Sequence, residues 1–212
     1  MTIIDWILHV DRAVAVIFHD WGWVAWALIF FIVFVETGVV IFPFLPGDSL
    51  LFACGAFAAA QNEPLWLFFV VLAAAALLGN TANYSIGRRF GSFLLRDRPG
   101  KRPWIKPAHL EETHQFFERW GGWAVTISRF FPILRTITPF VAGVGRMTFR
   151  AFTGYNALGG LGWTAVFLAA GYFFGTLPWI QHNFSLVVLA LVLIPAIPAA
   201  VGFIKTLRQR KK

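Results

Sequence analysis

The chain has 212 residues, of which 58% are hydrophobic and 13% are charged, and its formal net charge is +8. One soluble core cannot bury so much apolar surface, so the composition excludes a soluble globular protein and predicts a single-domain integral membrane protein. The positive charge does not indicate a nucleic-acid partner, because seven of the 18 basic residues lie in the segment 88 to 106 and five in the tail 205 to 212, as expected of cytoplasmic segments beside membrane spans.

The first 20 residues predict an amphipathic helix that lies in the membrane interface. Ile3, Ile7 and Val10 recur at helical spacing, while Asp5 and Arg12 fall toward another face. We do not expect this stretch to be a signal peptide, because it lacks a basic start and charges interrupt its apolar run.

Four later segments are apolar and have the length of about 20 residues that a helix needs to cross the bilayer. They are 21 to 41, 65 to 87, 152 to 175 and 184 to 204. The loops 61 to 64 and 176 to 183 contain no Lys or Arg. The positive-inside rule therefore predicts a multi-pass protein with its basic segment and C-terminus in the cytoplasm, and it leaves the side of the N-terminus open.

Two further apolar segments, 42 to 60 and 124 to 145, are broken near their middles and are too short to cross the membrane twice. We expect each to form a re-entrant hairpin, in which two half-helices enter the membrane and turn back. The expected hairpin breakers are Pro43, Pro46, Gly47, Pro132 and Pro139.

Short motifs recur in the same order in both halves of the chain. FPFL at 42 to 45 returns as FPIL at 131 to 134, and GNTA followed by GRRFG returns as GWTA followed by GYFFG. This order predicts an inverted repeat. The expected fold class is an all-α membrane protein with two re-entrant hairpins that face each other, about four spans and interfacial helices. Its expected parts are an interfacial helix (1 to 20), a first repeat (21 to 91), a basic cytoplasmic loop with an amphipathic helix (92 to 120), a second repeat (121 to 175), a final span (184 to 204) and a basic tail (205 to 212).

Four charged residues fall within the apolar parts of the two repeats. Glu36 and Asp48 belong to the first repeat, and Arg129 and Arg135 belong to the second. Since each charge alone is costly in lipid, we expect the hairpins to bring the acids against the guanidiniums. Arginine grips phosphate or carboxylate through two parallel bonds, and desolvated acids can exchange protons near neutral pH. The residues therefore predict an anion site coupled to protons, in which Arg129 and Arg135 bind the anion and Glu36 and Asp48 exchange protons; the alternative is that these charges only pin the hairpins together.

Other polar and small residues have structural interpretations. Asn80, Asn83 and Ser85 are expected to hydrogen-bond between helices rather than to line a cavity. Two GxxxG pairs, which allow helices to pack closely, are Gly87/Gly91 and Gly171/Gly175. The sequence has no metal-ligand spacing and no nucleotide-binding loop, so no metal and no cofactor are expected.

The segment from Trp21 to Gly175 resembles the DedA family of bacterial inner-membrane proteins, whose shared region is also called the VTT or SNARE-associated domain. The resemblance rests on Glu36 placed 12 residues before Asp48 in LPGDSLL, on SRFFPILRTITPFVAG at 128 to 143 and on GNTANYSIGRRFG at 79 to 91. It implies a location in the bacterial cytoplasmic membrane and transport that depends on the proton-motive force. It also implies that Glu36 and Asp48 are the functional acids and that Arg129 and Arg135 are the functional arginines.

Relatives of this kind look like flippases that recycle undecaprenyl phosphate, and eukaryotic ones look like lipid scramblases. We therefore expect a flippase without enzymatic activity, whose partners are an anionic membrane lipid, best matched by undecaprenyl phosphate, and protons. A cation/proton antiporter driven by the proton-motive force and a general phospholipid scramblase stay open as alternatives. A purely structural scaffold is a further alternative, an enzyme is disfavoured because phosphatase and intramembrane protease motifs are missing, and a homo-oligomer is allowed.

Overall fold

The computed structural model describes residues 14, 16, 18, 19, 22 to 38, 47 to 94, 120 to 187 and 189 to 191. All regular elements in these residues are helices, which confirms the predicted all-α class. In chain order they are α1 (Trp23–Gly38), α2 (Gly47–Gln61), α3 (Leu65–Leu94), α4 (Trp123–Ile127), a 3-10 turn (Ser128–Phe130), α5 (Pro132–Val144), α6 (Phe149–Phe174) and α7 (Pro178–His182). Most of the predicted segments 1 to 20, 92 to 120 and 184 to 204, and the whole tail 205 to 212, lie outside the described residues.

Two of these helices, α3 and α6, are long and apolar enough to cross a membrane. Their apolar parts, Leu65–Phe90 and Phe149–Phe174, have 26 residues each. At 1.5 Å per residue this is about 39 Å, which exceeds the roughly 30 Å hydrocarbon core of a bilayer. Large apolar side chains stay exposed on both helices, as lipid-facing surfaces do; examples are Leu78 and Val166. The predicted spans 65 to 87 and 152 to 175 are thereby confirmed as helices of membrane length.

The predicted span 21 to 41 appears as α1, a helix of 16 residues. Its length of about 24 Å is less than the thickness of the hydrocarbon core. Residues 39 to 46, which include the predicted breakers Pro43 and Pro46, lie outside the described part of the chain. The crossing predicted for 21 to 41 stays a prediction, because this segment extends beyond the described residues at both ends.

The second predicted hairpin segment, 124 to 145, is broken as expected. After α4 and the 3-10 turn, Phe131 takes an extended conformation with φ −119° and ψ 116°, and Pro132 then begins α5. Proline suits this first helical position, because its fixed φ is helical and its missing N–H would have had no partner there. Pro132 therefore stands at the break, as predicted.

The predicted break at Pro139 is wrong, because α5 runs through this residue to Val144. A proline inside a helix removes one hydrogen bond and bends the helix, but neighbouring packing can keep it helical. Here the residues just beyond Pro139 are fixed against α3: Phe140 is 1% exposed, and its backbone lies against Gly87. Packing after the proline thus preserves α5.

The described residues fall into two compact units. The first unit comprises those within Met1–Ile32, Leu45–Ala74 and Trp163–Lys212, and the second unit comprises those within Val33–Phe44 and Ala75–Gly162. The boundaries between the units fall inside α1, α3 and α6. Each unit therefore combines segments from both halves of the chain, whereas the repeated sequence motifs occur once in each half.

In the first unit, α2 packs directly on the backbone of α6. A side chain on Gly55 would collide with the backbone of Leu168 and Tyr172, and one on Gly171 would collide with the backbone of Phe52. Just beyond the end of α6, a side chain on Gly175 would collide with Cβ of Ala56. We call the Gly55 and Gly171 pair the first glycine contact; it confirms that the Gly171/Gly175 pair serves close packing.

In the second unit, α5 packs in the same manner on the backbone of α3. A side chain on Gly143 would collide with the backbone of Tyr84 and Arg88, and one on Gly87 would collide with the backbone of Phe140. We call the Gly143 and Gly87 pair the second glycine contact. In each contact a Phe lies three residues before the glycine of the shorter helix: Phe52 before Gly55 in α2, and Phe140 before Gly143 in α5. The two contacts therefore use equivalent positions.

Candidate functional site

Two buried arginines flank the break between the 3-10 turn and α5 in the second unit. Arg129 is the middle residue of the turn and is 1% exposed, and Arg135 lies in the first turns of α5 and is 3% exposed. The backbone N–H of Arg135 donates to the carbonyl of Phe131 at 2.8 Å, which ties α5 to the residue at the break. The local break therefore concentrates positive charge in an apolar domain.

Glu36, near the C-terminal end of α1, meets the second of these arginines. Nη2 of Arg135 donates to Oε1 of Glu36, and Glu36 is 0% exposed. An ion pair removed from water is stable only if both charges keep each other as partners, because an isolated charge there is costly. Of the predicted pairings between acids and arginines, the structure shows this one directly.

Arg129 donates to a group of amide and carbonyl oxygens. Its Nη2 lies 2.6 Å from Oδ1 of Asn156 on α6 and 3.4 Å from the carbonyl of Ala76 on α3. Asn80 on α3 donates to the same Asn156 oxygen at 3.1 Å, and Nδ2 of Asn156 donates to the carbonyl of Leu77 at 3.2 Å. Three buried polar side chains from three elements thus form one network, which we call the amide cluster (Asn80, Asn156 and Arg129).

The amide of Asn80 has two orientations that its heavy atoms allow. In one it donates to Asn156, and in the other its oxygen lies 2.8 Å from Nη2 of Arg129 while its nitrogen lies 3.3 Å from the carbonyl of Thr37. Both orientations keep Asn80 bonded within the second unit. The prediction that Asn80 hydrogen-bonds between helices is confirmed.

Two glycines of α6 leave space that the Arg129 side chain shares with Leu77 and Thr126. A Cβ on Gly160 would lie 3.1 Å from Nη2 of Arg129, and a Cβ on Gly159 would lie 3.2 Å from its Cδ. Both contacts are tighter than ordinary van der Waals packing. Gly159 and Gly160 follow Asn156 by three and four residues, so all three positions lie on one face of the helix.

Asn83 lies on α3 and hydrogen-bonds to both the last turn of α1 and α5. Its Nδ2 donates to the carbonyl of Thr136 at 2.7 Å and to that of Thr37 at 3.4 Å. Thr37 also lies against Gly79 of α3, where a side chain would collide with it. These contacts fix the residue beside Glu36, and they confirm the helix-to-helix bonding predicted for Asn83. Ser85 instead donates to the carbonyl of Thr81 in its own helix.

Asp48 lies in the first unit, in the first turn of α2, which begins at Gly47 as predicted. Its Oδ1 accepts a hydrogen bond of 2.9 Å from Nε1 of Trp163. Trp163 is 0% exposed and belongs to the same unit, whereas Asp48 is half-buried. The structure thus brings Glu36, Arg129 and Arg135 into the second unit and places Asp48 in the first.

Some residues of the site are absent from the sequence predictions. Asn156, Gly159, Gly160 and Trp163 contact the predicted arginines or Asp48, yet their roles depend on which helices lie side by side. The sequence does contain one signal for Asn156: an amide side chain inside an apolar helix usually has a hydrogen-bond partner on another helix.

Among the described residues no group of three or more His, Cys, Asp and Glu side chains could hold a metal ion.

Most of the chain is similar in sequence to known membrane proteins. The VTT domain model matches residues 45–173. The chain is similar to Protein DedA of Escherichia coli, with 42% identity over 205 residues that cover 96% of this chain and 93% of the relative. It is also similar to an uncharacterized membrane protein of Mycobacterium tuberculosis, with 39% identity over 86% of this chain and 80% of the relative. The inner membrane protein YghB of Escherichia coli is 30% identical over 87% of this chain and 83% of its own length. No solved structure matches the chain.

Proposed function

The chain belongs to the DedA family of VTT-domain membrane proteins, and from this premise we propose that it is a proton-coupled flippase that moves the phosphate head group of undecaprenyl phosphate across the bacterial cytoplasmic membrane. The proposed direction is from the outer to the inner leaflet. The prenyl chain stays in lipid throughout, so only the phosphate needs a polar route.

The observation that carries this proposal is the pair of buried guanidiniums at a helix break. Arg129 and Arg135 are nearly inaccessible to solvent, yet they lie in a domain with helices of membrane length. Intramembrane ionisable residues usually belong to a substrate or ion pathway. Guanidinium groups bind phosphate oxygens through parallel charge-assisted bonds, which makes phosphate the ligand that suits this pair.

Glu36 supplies a way to couple phosphate binding to protons. In the described state it is the ionic partner of Arg135. A phosphate that binds Arg135 takes the place of the carboxylate, and the displaced Glu36 is then stabilised by taking up a proton, because an unpartnered charge is costly away from water. Release of the phosphate returns Arg135 to Glu36 and frees the proton. Asp48 is the second proton-exchange residue of the proposal.

The proposed architecture has two re-entrant hairpins in an inverted repeat. The broken helix from α4 to α5 supports the second hairpin, and the start of α2 at Gly47 and Asp48 supports the first. The two glycine contacts support the repeat, because equivalent positions of α2 and α5 lie against equivalent positions of α6 and α3. Discontinuous helices of this kind form the substrate sites of many transporters.

A leaflet assay with the purified protein in liposomes tests the function. Labelled polyprenyl phosphate and an ordinary phospholipid are supplied in one leaflet, with and without a pH gradient, and the fraction that reaches the other leaflet is measured. We expect fast movement of the polyprenyl phosphate alone, dependent on the gradient, and its loss in Arg129→Gln and Arg135→Gln. Arg150→Gln is the matched control, because Arg150 is exposed at the start of α6. Wild-type rates in both buried-arginine variants would contradict the proposal.

The same assay separates the alternatives. Equal movement of both lipids without a gradient would favour a general scramblase. The buried carboxylate of Glu36 also suits a cation/proton antiporter, for which the arginines would only adjust the acid. Proton flux that depends on an added cation, with no movement of either lipid, would favour that function.

A further inference from the structure

We propose that Asn156 is the positioning residue for Arg129. Its uncharged amide accepts a hydrogen bond from the guanidinium of Arg129 and orients that group toward the phosphate. This inference rests on the proposed function. It assigns a role to a residue of α6 that has no charge and no place in the sequence motifs of the site.

The orientation of the Asn156 side chain is fixed at both ends. Its nitrogen donates to the carbonyl of Leu77 at 3.2 Å, which leaves its oxygen directed at Nη2 of Arg129 at 2.6 Å. In one of its two orientations Asn80 adds a second donor to that oxygen at 3.1 Å, and in the other its own oxygen also accepts from Nη2 of Arg129 at 2.8 Å. Because the amide cannot rotate without losing the bond to Leu77, the position of its oxygen is set by α3 and α6 rather than by the arginine.

The same face of α6 also shapes the space that the arginine occupies. Gly159 and Gly160 lie one helical turn beyond Asn156, and a methyl group there would meet Thr126 or Leu77 first and would also lie 3.1 to 3.2 Å from the Arg129 side chain. One helix face thus provides both a hydrogen-bond acceptor and a recess for the same side chain. Arginine has a long, flexible stem, so a fixed contact of this kind lowers the entropy cost of holding it ready for a ligand.

The neutrality of the acceptor matters for an anion site. Arg135 is held by a carboxylate, which a phosphate has to displace, whereas the bond from Asn156 orients Arg129 without adding negative charge. An aspartate in place of Asn156 has nearly the same shape but would compete with the phosphate for the guanidinium. The charge of this one side chain therefore decides how strongly the site holds the anion.

The test compares Asn156→Asp, Asn156→Leu and a control in the liposome assay at several lipid concentrations. We expect Asn156→Asp to raise the polyprenyl phosphate concentration that gives half-maximal rate by about tenfold, which corresponds to about 1.4 kcal/mol of binding. We expect Asn156→Leu to lower the maximal rate, because the guanidinium of Arg129 loses the hydrogen bond that orients it. The control is Thr126→Val, which removes a 2.9 Å bond from α4 to the carbonyl of Tyr155 on α6 and leaves Arg129 its contacts; its kinetics should match the wild type.

Thermal unfolding of each variant shows whether it is folded, and a double-mutant cycle between Asn156→Leu and Arg129→Gln measures their coupling without any lipid. Unchanged half-saturation in a folded Asn156→Asp protein would overturn the inference, and so would a coupling of zero. A loss of rate that only follows the loss of folded protein would also overturn it. If the wild type moves no polyprenyl phosphate at all, the proposed function is what fails; a measurable coupling would then leave Asn156 as a structural partner of Arg129 alone.

Discussion

The two units share a backbone contact and differ in what they bury around it. In both, a glycine of a shorter helix packs on the backbone of a long helix. These are Gly55 of α2 against α6 at Gly171 in one unit, and Gly143 of α5 against α3 at Gly87 in the other. The polar content is unequal, because ten of the twelve buried polar or charged side chains among the described residues lie in the second unit. The glycine contacts are therefore a common scaffold, and the buried charges are a property of the second unit.

One position of the repeated motif shows how this difference arises. GNTA contributes Asn80 to the amide cluster of the second unit, whereas GWTA contributes Trp163, which donates to Asp48 in the first. An amide both donates and accepts and can extend a network, while an indole donates once and fills volume. At this position of the motif the asparagine therefore belongs to a polar network, whereas the tryptophan fills volume and donates one hydrogen bond to Asp48.

The largest expected effect comes from breaking the ion pair of the second unit. Arg135→Gln removes the guanidinium that pairs with the buried carboxylate of Glu36, and breaking such an ion pair costs about 3 to 5 kcal/mol. Unfolding in detergent should show this loss, together with loss of lipid transport. The double variant Glu36→Gln/Arg135→Gln should recover most of the stability but not the transport, because two neutral amides can bond to each other and cannot replace the guanidinium. Full stability of Arg135→Gln would show that the second unit does not depend on its charge pair.

The next effect tests whether the two glycine contacts are equivalent. Gly171→Ala and Gly87→Ala each insert a methyl group into a backbone contact, and overpacking of this kind costs about 1 to 3 kcal/mol. We expect similar losses in both units when unfolding is followed in detergent. Gly162→Ala on α6 is the matched control, because nothing lies within 4 Å of a Cβ at that position. A clear difference between the two contact variants would contradict a common scaffold.

Much of this arrangement could be predicted from local sequence. Helices α3 and α6 follow from apolar length, the break before α5 follows from Pro132, and the buried charges follow from the cost of an ionisable group among apolar residues. The start of α2 at Gly47, with Asp48 in its first turn, was predictable for the same local reasons.

The remaining features depend on contacts between distant segments. Continuation of α5 through Pro139 requires the packing of Phe140 on Gly87, which no local propensity encodes. The pairing of Glu36 with Arg135 and the bond of Arg129 to Asn156 depend on which helix faces meet. The burial of Glu36, Arg129 and Arg135 could be predicted because the energetic cost of a charge among apolar residues is local, whereas their neutral partners were missed because amides are tolerated in many settings.

The smallest expected effect concerns the polar contact of the first unit. Trp163→Phe removes the donor to Asp48 and a part of a fully buried ring, while the remaining ring still fills most of the volume. Because Asp48 is half-buried, water can replace the lost donor, so we expect a loss of about 1 kcal/mol in unfolding free energy. Trp66→Phe is the matched control in the same unit, since Trp66 is 66% exposed and should change stability far less. A loss from Trp163→Phe as large as that from Arg135→Gln would mean that the first unit depends on the contact between Trp163 and Asp48 as strongly as the second depends on its ion pair, and the contrast between scaffold and site would then fail.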